Sequence, residues 1–303
     1  MISAVGISVI DHIMTLEGFK SCEGSFHCED YIVEGGGMAA TALCAASKLG
    51  AETRLFSKIG DDVNGALILE GLREFDVDSR GVVSVMGKQS TVSFVMVDCE
   101  SGEKQFFSQW IKPAYNSDID LDCSMLSDSS ILLLDGHWTE GALQAAKWAK
   151  ENGVPVVADF KRLYKNIESL FPYIDYFIVP KFFAEEISGK EDIMDILQEL
   201  TTLQNGIPVI TMGHEGVSYL DKGELKHIPA FKINSVDSTG AGDAFHGAFC
   251  HFLDKGFNLH RCLELSSAVG ALNCRSHGGR KALPDRDELA SFLKKHNVDT
   301  QSL

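Results

Sequence analysis

Four consecutive residues, Gly240-Ala241-Gly242-Asp243, could do chemistry together. Behind them Phe245, Ala248, Phe249 and Phe252 recur at helical spacing, so the glycines open a helix whose apolar face belongs to the core. A glycine-rich helix start is an anion cradle. Without side chains, Gly240 and Gly242 let the backbone approach closely, and their N–H groups, with that of Ala241, can face negative charge building on a transferring phosphoryl group. Asp243 falls in the first turn, where the helix dipole favours a carboxylate able to take the proton of an attacking hydroxyl. A free aspartate titrates at about 3.9, far below any alcohol, so such a residue orients the hydroxyl first and accepts its proton late in a loose transfer step. On its own, G-x-G-D is equally a tight turn followed by a helix-capping acid.

Those residues need a scaffold, and most of the chain alternates strand-like and helix-like segments. Apolar runs at 2–10, 131–134, 154–158, 176–179 and 207–211 read as strands, and 39–49, 140–151 and 192–204 read as helices. Strands so continuously apolar fit a parallel sheet covered on both faces. The expected fold is α/β, a three-layer αβα sandwich around a mostly parallel central sheet. Two stretches, about 23–34 and 89–110, break the pattern: polar and apolar residues alternate there, as in Ser90, Val92, Phe94 and Met96 ahead of a Ser101-Gly102 turn. They predict a small separate sheet of antiparallel strands, a lid over the carboxyl ends of the parallel strands, where open sheets bind ligands. No repeat or low-complexity linker interrupts the 303 residues, so one domain with that lid is expected.

With 45% hydrophobic and 23% charged residues, the composition is that of a soluble globular protein. The formal charge of −16 disfavours nucleic acid and anionic membranes as partners, yet leaves room for an anionic ligand bound by backbone N–H groups. Eight scattered cysteines with no C-x-x-C pair predict reduced thiols rather than a zinc site. No apolar run reaches about 18 residues, and the opening MISAVGISVI lacks a basic leader, so a cytoplasmic protein is expected.

The longer string DSTGAGDAFHG, 237–247, is similar almost residue for residue to the carboxyl-terminal signature of the PfkB (ribokinase-like) family of carbohydrate kinases. Residues 33–65, with Gly36-Gly37 and Lys58-Ile59-Gly60-Asp61-Asp62, resemble that family's first signature. The matches run from residue 5 to about residue 284. They imply a ribokinase-like sandwich and ATP-dependent phosphorylation of a sugar hydroxyl with Mg²⁺, a monovalent cation being an optional addition. Asp243 then falls on the catalytic aspartate, with the backbone of Gly240, Ala241 and Gly242 as anion hole. Asp11 matches the acid that holds sugar hydroxyls, and Gly36 and Gly37 the diglycine that closes on the sugar. Thr211, Gly213 and Gly216 fall on a T-x-G-x-x-G loop that approaches the ATP phosphates and ribose, and Asn273, on a helix with Ala268 and Leu272, is a candidate adenine contact. His246 reads as a residue that packs or caps within its own helix. A flap strand with uncovered apolar residues pairs readily with a second copy, so a homodimer through the lid is expected.

The chain also departs from the family pattern. Relatives carry N-x-x-E ahead of a helix, linked to magnesium and phosphate, where this chain has Pro180-Lys181-Phe182-Phe183. The metal is then held either through Glu185 or Glu186 and water, or mainly by the ATP phosphates. Thr41 stands where ribokinase-type sites place Asn. The triple glycine, the Trp138 region and Gly278-Gly279-Arg280 with Pro284 look closest to the sulfofructose kinases within the family, but the arginine expected before Trp138 is His137, a poorer sulfonate ligand. The implied substrate is therefore a ketose-like sugar or derivative, with Thr41 and His137 as candidate contacts. Lys161 and Arg162 could meet an anionic substituent, although solvated loop residues are the simpler reading. A nucleoside kinase shares these signatures. An inactive nucleotide- or sugar-binding regulator would explain the missing N-x-x-E but not the intact Asp243. A dinucleotide-binding fingerprint would need its glycines directly between first strand and helix, and here a flap-like segment intervenes.

Overall fold

A computed structural model describes residues 1–16, 28–99, 104–109 and 118–300. The apolar runs form one nine-stranded sheet from β1 (Ile2–Val5), β4 (Thr53–Gly60), β5 (Asp78–Val85), β8 (Ile131–Leu134), β9 (Val156–Asp159), β10 (Tyr176–Pro180), β11 (Ile207–Thr211), β12 (Val217–Asp221) and β13 (Glu224–Ile228). Its order is β13-β12-β11-β10-β9-β8-β1-β4-β5; β5 through β11 run parallel, and β12 and β13 extend one edge antiparallel.

Alternate side chains along each strand enter different cores. Ile131 and Leu133 join the core made with α1 (Met38–Lys48), α2 (Val63–Glu74), α6 (Ala241–Asp254), α7 (Leu259–Asn273) and α8 (Arg286–Lys295). Leu132 and Leu134 join the other, with α3 (Thr139–Asn152), α4 (Lys181–Ser188) and α5 (Ile193–Leu203). Burial on both faces is why these strands read as continuous apolar runs. The expected three-layer sandwich is the observed one. Cys44, Cys250 and Cys262 lie buried as thiols. Among the described residues no helix is long and apolar enough to cross a membrane.

One expected strand divides. The run at 2–10 contributes to two sheets, because the chain leaves the large sheet at Gly6, and the Ile7 N–H donates to Asp135 Oδ2 at 2.7 Å. A Cβ at Gly6 would overlap that carboxylate. Hydrophobicity carries no mark of the break. Beyond it, β2 (Val9–Leu16) pairs with β3 (Cys28–Gly36) and β6 (Val92–Asp98), and β6 with β7 (Lys104–Gln109), giving a four-stranded sheet in the order β3-β2-β6-β7. The β2–β6 pair is parallel and the other two are antiparallel, so the sheet is mixed rather than wholly antiparallel as expected. The predicted segments hold β3, β6 and β7; their positions 23–27, 100–103 and 110, with the Ser101-Gly102 turn, lie outside the described residues, as does Cys22.

Register sorts the faces of this small sheet. Glu34, Asp11 and Ser93 stand opposite one another across three strands. One residue along, Val33, His12, Phe94 and Phe107 form the next row on the other face, where Val33, Phe94 and Phe107 are exposed. The first row meets the loops of the large sheet.

Candidate active site

From β1 the chain continues through β4 to β5 on one side, and from β8 through β9 and β10 to β11 on the other. The sheet order thus reverses between β1 and β8, and open sheets bind ligands at such a switch point, beyond the strands' carboxyl ends. Asp135 follows β8, Asp159 ends β9, β2 brings Asp11, and α6 begins alongside.

Gly240 precedes α6 in the left-handed region, with φ 71°, and a Cβ there would stand 2.5 Å from the Gly279 carbonyl oxygen. Gly242 contrasts with it: a Cβ would meet nothing within 4 Å, so this turn presents bare backbone to open space. Asp243 Oδ1 accepts from Lys161 Nζ at 2.7 Å, and among the described residues its Oδ2 carries no hydrogen bond. Lys161 sits two residues beyond β9 with its side chain 35% exposed. Burial pulls its pKa down, but Asp243 and Asp159 outweigh that and hold it above the ordinary lysine value. The reading of Lys161 as a solvated loop residue is thereby corrected. Arg162, exposed and lying over the Tyr164 ring, does fit that reading. His246 packs as expected, with Nδ1 2.7 Å from the Gly242 carbonyl oxygen and Nε2 3.1 Å from that of Ile178.

Two fully buried aspartates flank this centre. Asp135 accepts from the N–H groups of Ile7, Ala39 and His137 at 2.7, 3.2 and 3.0 Å. Burial works to raise its pKa, but His137 and these bonds bring it below the usual carboxylate value. Among the described residues neither carboxylate oxygen of Asp159 has a hydrogen bond; His246 Nδ1 stands 3.4 Å away, and burial pushes this acid upward. His137 is held between Asp135 at 3.2 Å and the Tyr164 hydroxyl at 2.7 Å.

Around Asp11 the construction changes. Gly36 must lack a side chain, because a Cβ would overlap the Asp11 carboxylate. Arg280 reaches in from the loop after α7: Nε donates to Thr41 Oγ1 at 3.1 Å and Nη2 to the Gly36 carbonyl at 2.8 Å. Glu34 accepts from the Gly279 N–H. Burial above all lifts Asp11 to about 7; Arg280 opposes the shift, and Glu34 and Asp243 add to it. Burial raises Glu34 as well. Thr41 is 1% exposed, with its hydroxyl taken up by Arg280. Arg280 is the site residue that sequence reasoning missed, although a conspicuous Gly-Gly-Arg after the last core helix was its signal. Gly37, with φ 95°, precedes α1.

At the nucleotide end Thr211 closes β11, and Gly213 and Gly216 lie at either end of a one-turn helix. Asn273 is placed otherwise than expected. It is fully buried, and its amide donates to the Thr239 and Gly279 carbonyls at 3.1 and 3.0 Å, joining two loops behind Gly240 and leaving no surface for an adenine ring.

The pfkB family carbohydrate kinase model matches residues 1–286. This chain belongs to that family. It is a carbohydrate kinase, which phosphorylates a sugar using ATP. Ribokinase of Staphylococcus aureus is 25% identical over 94% of this chain and 97% of its own. Fructokinase-1 of Zea mays is 25% identical over 97% and 98%. The structure of Arabidopsis thaliana ribokinase complexed with ribose and ATP superposes with a TM-score of 0.84 over 97% of this chain and 98% of that one, at 24% identity. The family, fold and activity implied by the two sequence signatures are borne out.

This pfkB kinase gathers no group of three His, Cys, Asp or Glu side chains as a metal site among its described residues. Glu185, one of the two expected metal contacts, pairs with Lys181 at 3.7 Å. These residues fit a Mg²⁺ held by nucleotide phosphates and water, an arrangement that ion accepts.

Proposed function

We propose that this kinase transfers the γ-phosphoryl group of ATP to a hydroxyl of a ketose-like sugar or derivative, with Asp243 as base and the 240–242 backbone as anion hole. One observation carries the reading: Asp243 follows the bare backbone of Gly242 at the start of α6, with Oδ1 held by Lys161 and Oδ2 left over among the described residues, while Asp11 stands on the inner row of the small sheet. A sugar lying between the two carboxylates would meet both. ATP lies along Thr211, Gly213 and Gly216 with its phosphates at the start of α6, and Mg²⁺ enters with it. Binding of ribose and ATP by the Arabidopsis ribokinase supports this arrangement. The sugar hydroxyl donates to Asp243 Oδ2, its oxygen bonds to the γ-phosphorus, the bond from that phosphorus to the bridging oxygen breaks, and the proton passes to Asp243. The N–H groups at 240–242 face the developing charge. Asp11 accepts two sugar hydroxyls, Gly36 and Gly37 close on the ring, Thr41 acts through Arg280, and His137 borders the pocket.

In this reading the chain is one domain whose small sheet serves as a lid. The exposed apolar side chains of Val33, Phe94 and Phe107 in one row support pairing of that lid with a second copy. The deciding experiment is ATP consumption across hexoses, ketoses, sulfosugars and nucleosides, with and without potassium, alongside the solution mass by light scattering. Turnover confined to nucleosides, or ATP binding without turnover on any acceptor, would replace the sugar reading.

A further inference from the structure

We propose that Lys161 is a catalytic residue of this kinase, its ammonium neutralising charge on the phosphoryl group as it passes to the sugar. The inference rests on the reading of Asp243 as base, and begins from the 2.7 Å contact between Lys161 Nζ and Asp243 Oδ1. A hydroxyl hydrogen-bonded to the free Oδ2 puts its oxygen, and then the phosphorus it attacks, within a few ångströms of that ammonium. Oxygens leaving the charge of ATP for that of a sugar phosphate therefore meet a cation already in place.

Three further observations point the same way. Asp159, fully buried at the end of β9, acts with Asp243 to hold the Lys161 pKa above the ordinary lysine value, so the ammonium persists. Among the described residues the Lys161 ammonium donates one hydrogen bond, to Asp243, leaving its other hydrogens for phosphate oxygens. Pro180-Lys181-Phe182-Phe183 stands where a polar metal- and phosphate-linked pair is expected, so charge near the phosphoryl group has to come from elsewhere on the chain or from the bound metal. The proton balance is unchanged: it moves from the hydroxyl to Asp243, while Lys161 stays an ammonium throughout.

The test separates a phosphate contact from a scaffold for Asp243. Lys161→Met and Lys161→Gln are compared with wild type in calorimetric titrations of Mg·ATP and Mg·ADP without sugar, and in steady-state turnover. Both variants should weaken ATP about tenfold, the scale of one charged hydrogen bond, leave ADP within about twofold, and lower kcat at least about a hundredfold. Lys161→Arg should keep the preference for ATP. Equal loss of ATP and ADP affinity, unchanged affinity for both, or turnover restored by Lys161→Gln, which can still donate to Asp243, would each overturn the proposal. Thermal melts of both variants identify any loss that comes from unfolding. Activity surviving in Asp243→Asn would remove the base and leave the nucleotide titrations to judge Lys161 alone.

Discussion

At the start of α6 the groups proposed to meet the ligand are backbone N–H groups and one carboxylate, all carried by a helix packed against the large sheet. Around Asp11 the work passes to side chains that cross between separate elements: Arg280 and Glu34 join the small sheet to the loop after α7. The first construction suits a requirement common to every phosphoryl transfer, because backbone held by a core cannot drift and is indifferent to side-chain substitution. If Asp11 holds the sugar, the second suits choice of sugar, because each contact can be exchanged alone. The two ends should therefore fail differently when damaged.

The largest difference is expected from Asp243→Asn. The amide is nearly isosteric and its Oδ1 can still accept from Lys161, but it cannot accept the proton and offers a donor where the hydroxyl needs an acceptor. The expected result is a kcat at least about a hundredfold lower, with ATP affinity and melting temperature near wild type. Near-normal turnover would end the assignment of the base. Asp11→Ala should break the other end: sugar KM rises by about thirtyfold, as for loss of charged hydrogen bonds, and ATP KM stays within about twofold. An equal rise in both would make Asp11 a folding residue. Next in size is Arg280→Met, which removes the donor to Thr41 and Gly36 without touching the nucleotide end. Sugar KM should rise about tenfold, and the melting temperature should fall by a few degrees because buried acceptors lose their partner. A larger effect on ATP than on sugar would dissolve the distinction between the two ends.

The sequence was most readable where local chemistry decides structure. A glycine pair before an apolar stripe locates α6, and continuous apolar runs locate β8, β9, β10 and β11 to within two residues. The break at Gly6 was hidden because its cause, the Asp135 carboxylate that accepts from the Ile7 N–H, lies 128 residues from Ile7 along the chain. Lys161 and Arg280 were hidden for a related reason: a basic residue in a loop looks the same whether it meets water or a buried carboxylate, and only the fold places Asp243 beside one and Thr41 beside the other. Asn273 shows the converse, a polar helix residue that invites a ligand role until burial and two backbone carbonyls account for it.

The smallest expected effect comes from titration of Asp11 and bears on the sugar end alone. Its pKa is lifted to about 7, first by burial, with Glu34 and Asp243 adding and Arg280 and Ser93 opposing. Only the ionised form accepts two hydroxyl hydrogen bonds, and the ionised fraction falls from about nine-tenths at pH 8 to about half at pH 7. Sugar KM should therefore roughly double between those values and climb further below them, while ATP KM stays flat. In Arg280→Met the climb should begin at higher pH, because the opposing cation is gone; in Asp11→Asn it should vanish. Stability moves the other way. An acid whose folded pKa is raised contributes stability that is complete below its unfolded value, 3.8, and is lost as pH rises through about 7. Wild type should thus lose melting temperature relative to Asp11→Asn between pH 5 and pH 8, over the range in which it gains affinity for sugar. A sugar KM independent of pH from 6 to 8 would mean that Asp11 does not bind sugar as a carboxylate, and the sugar end would then rest on Arg280 and the diglycine backbone.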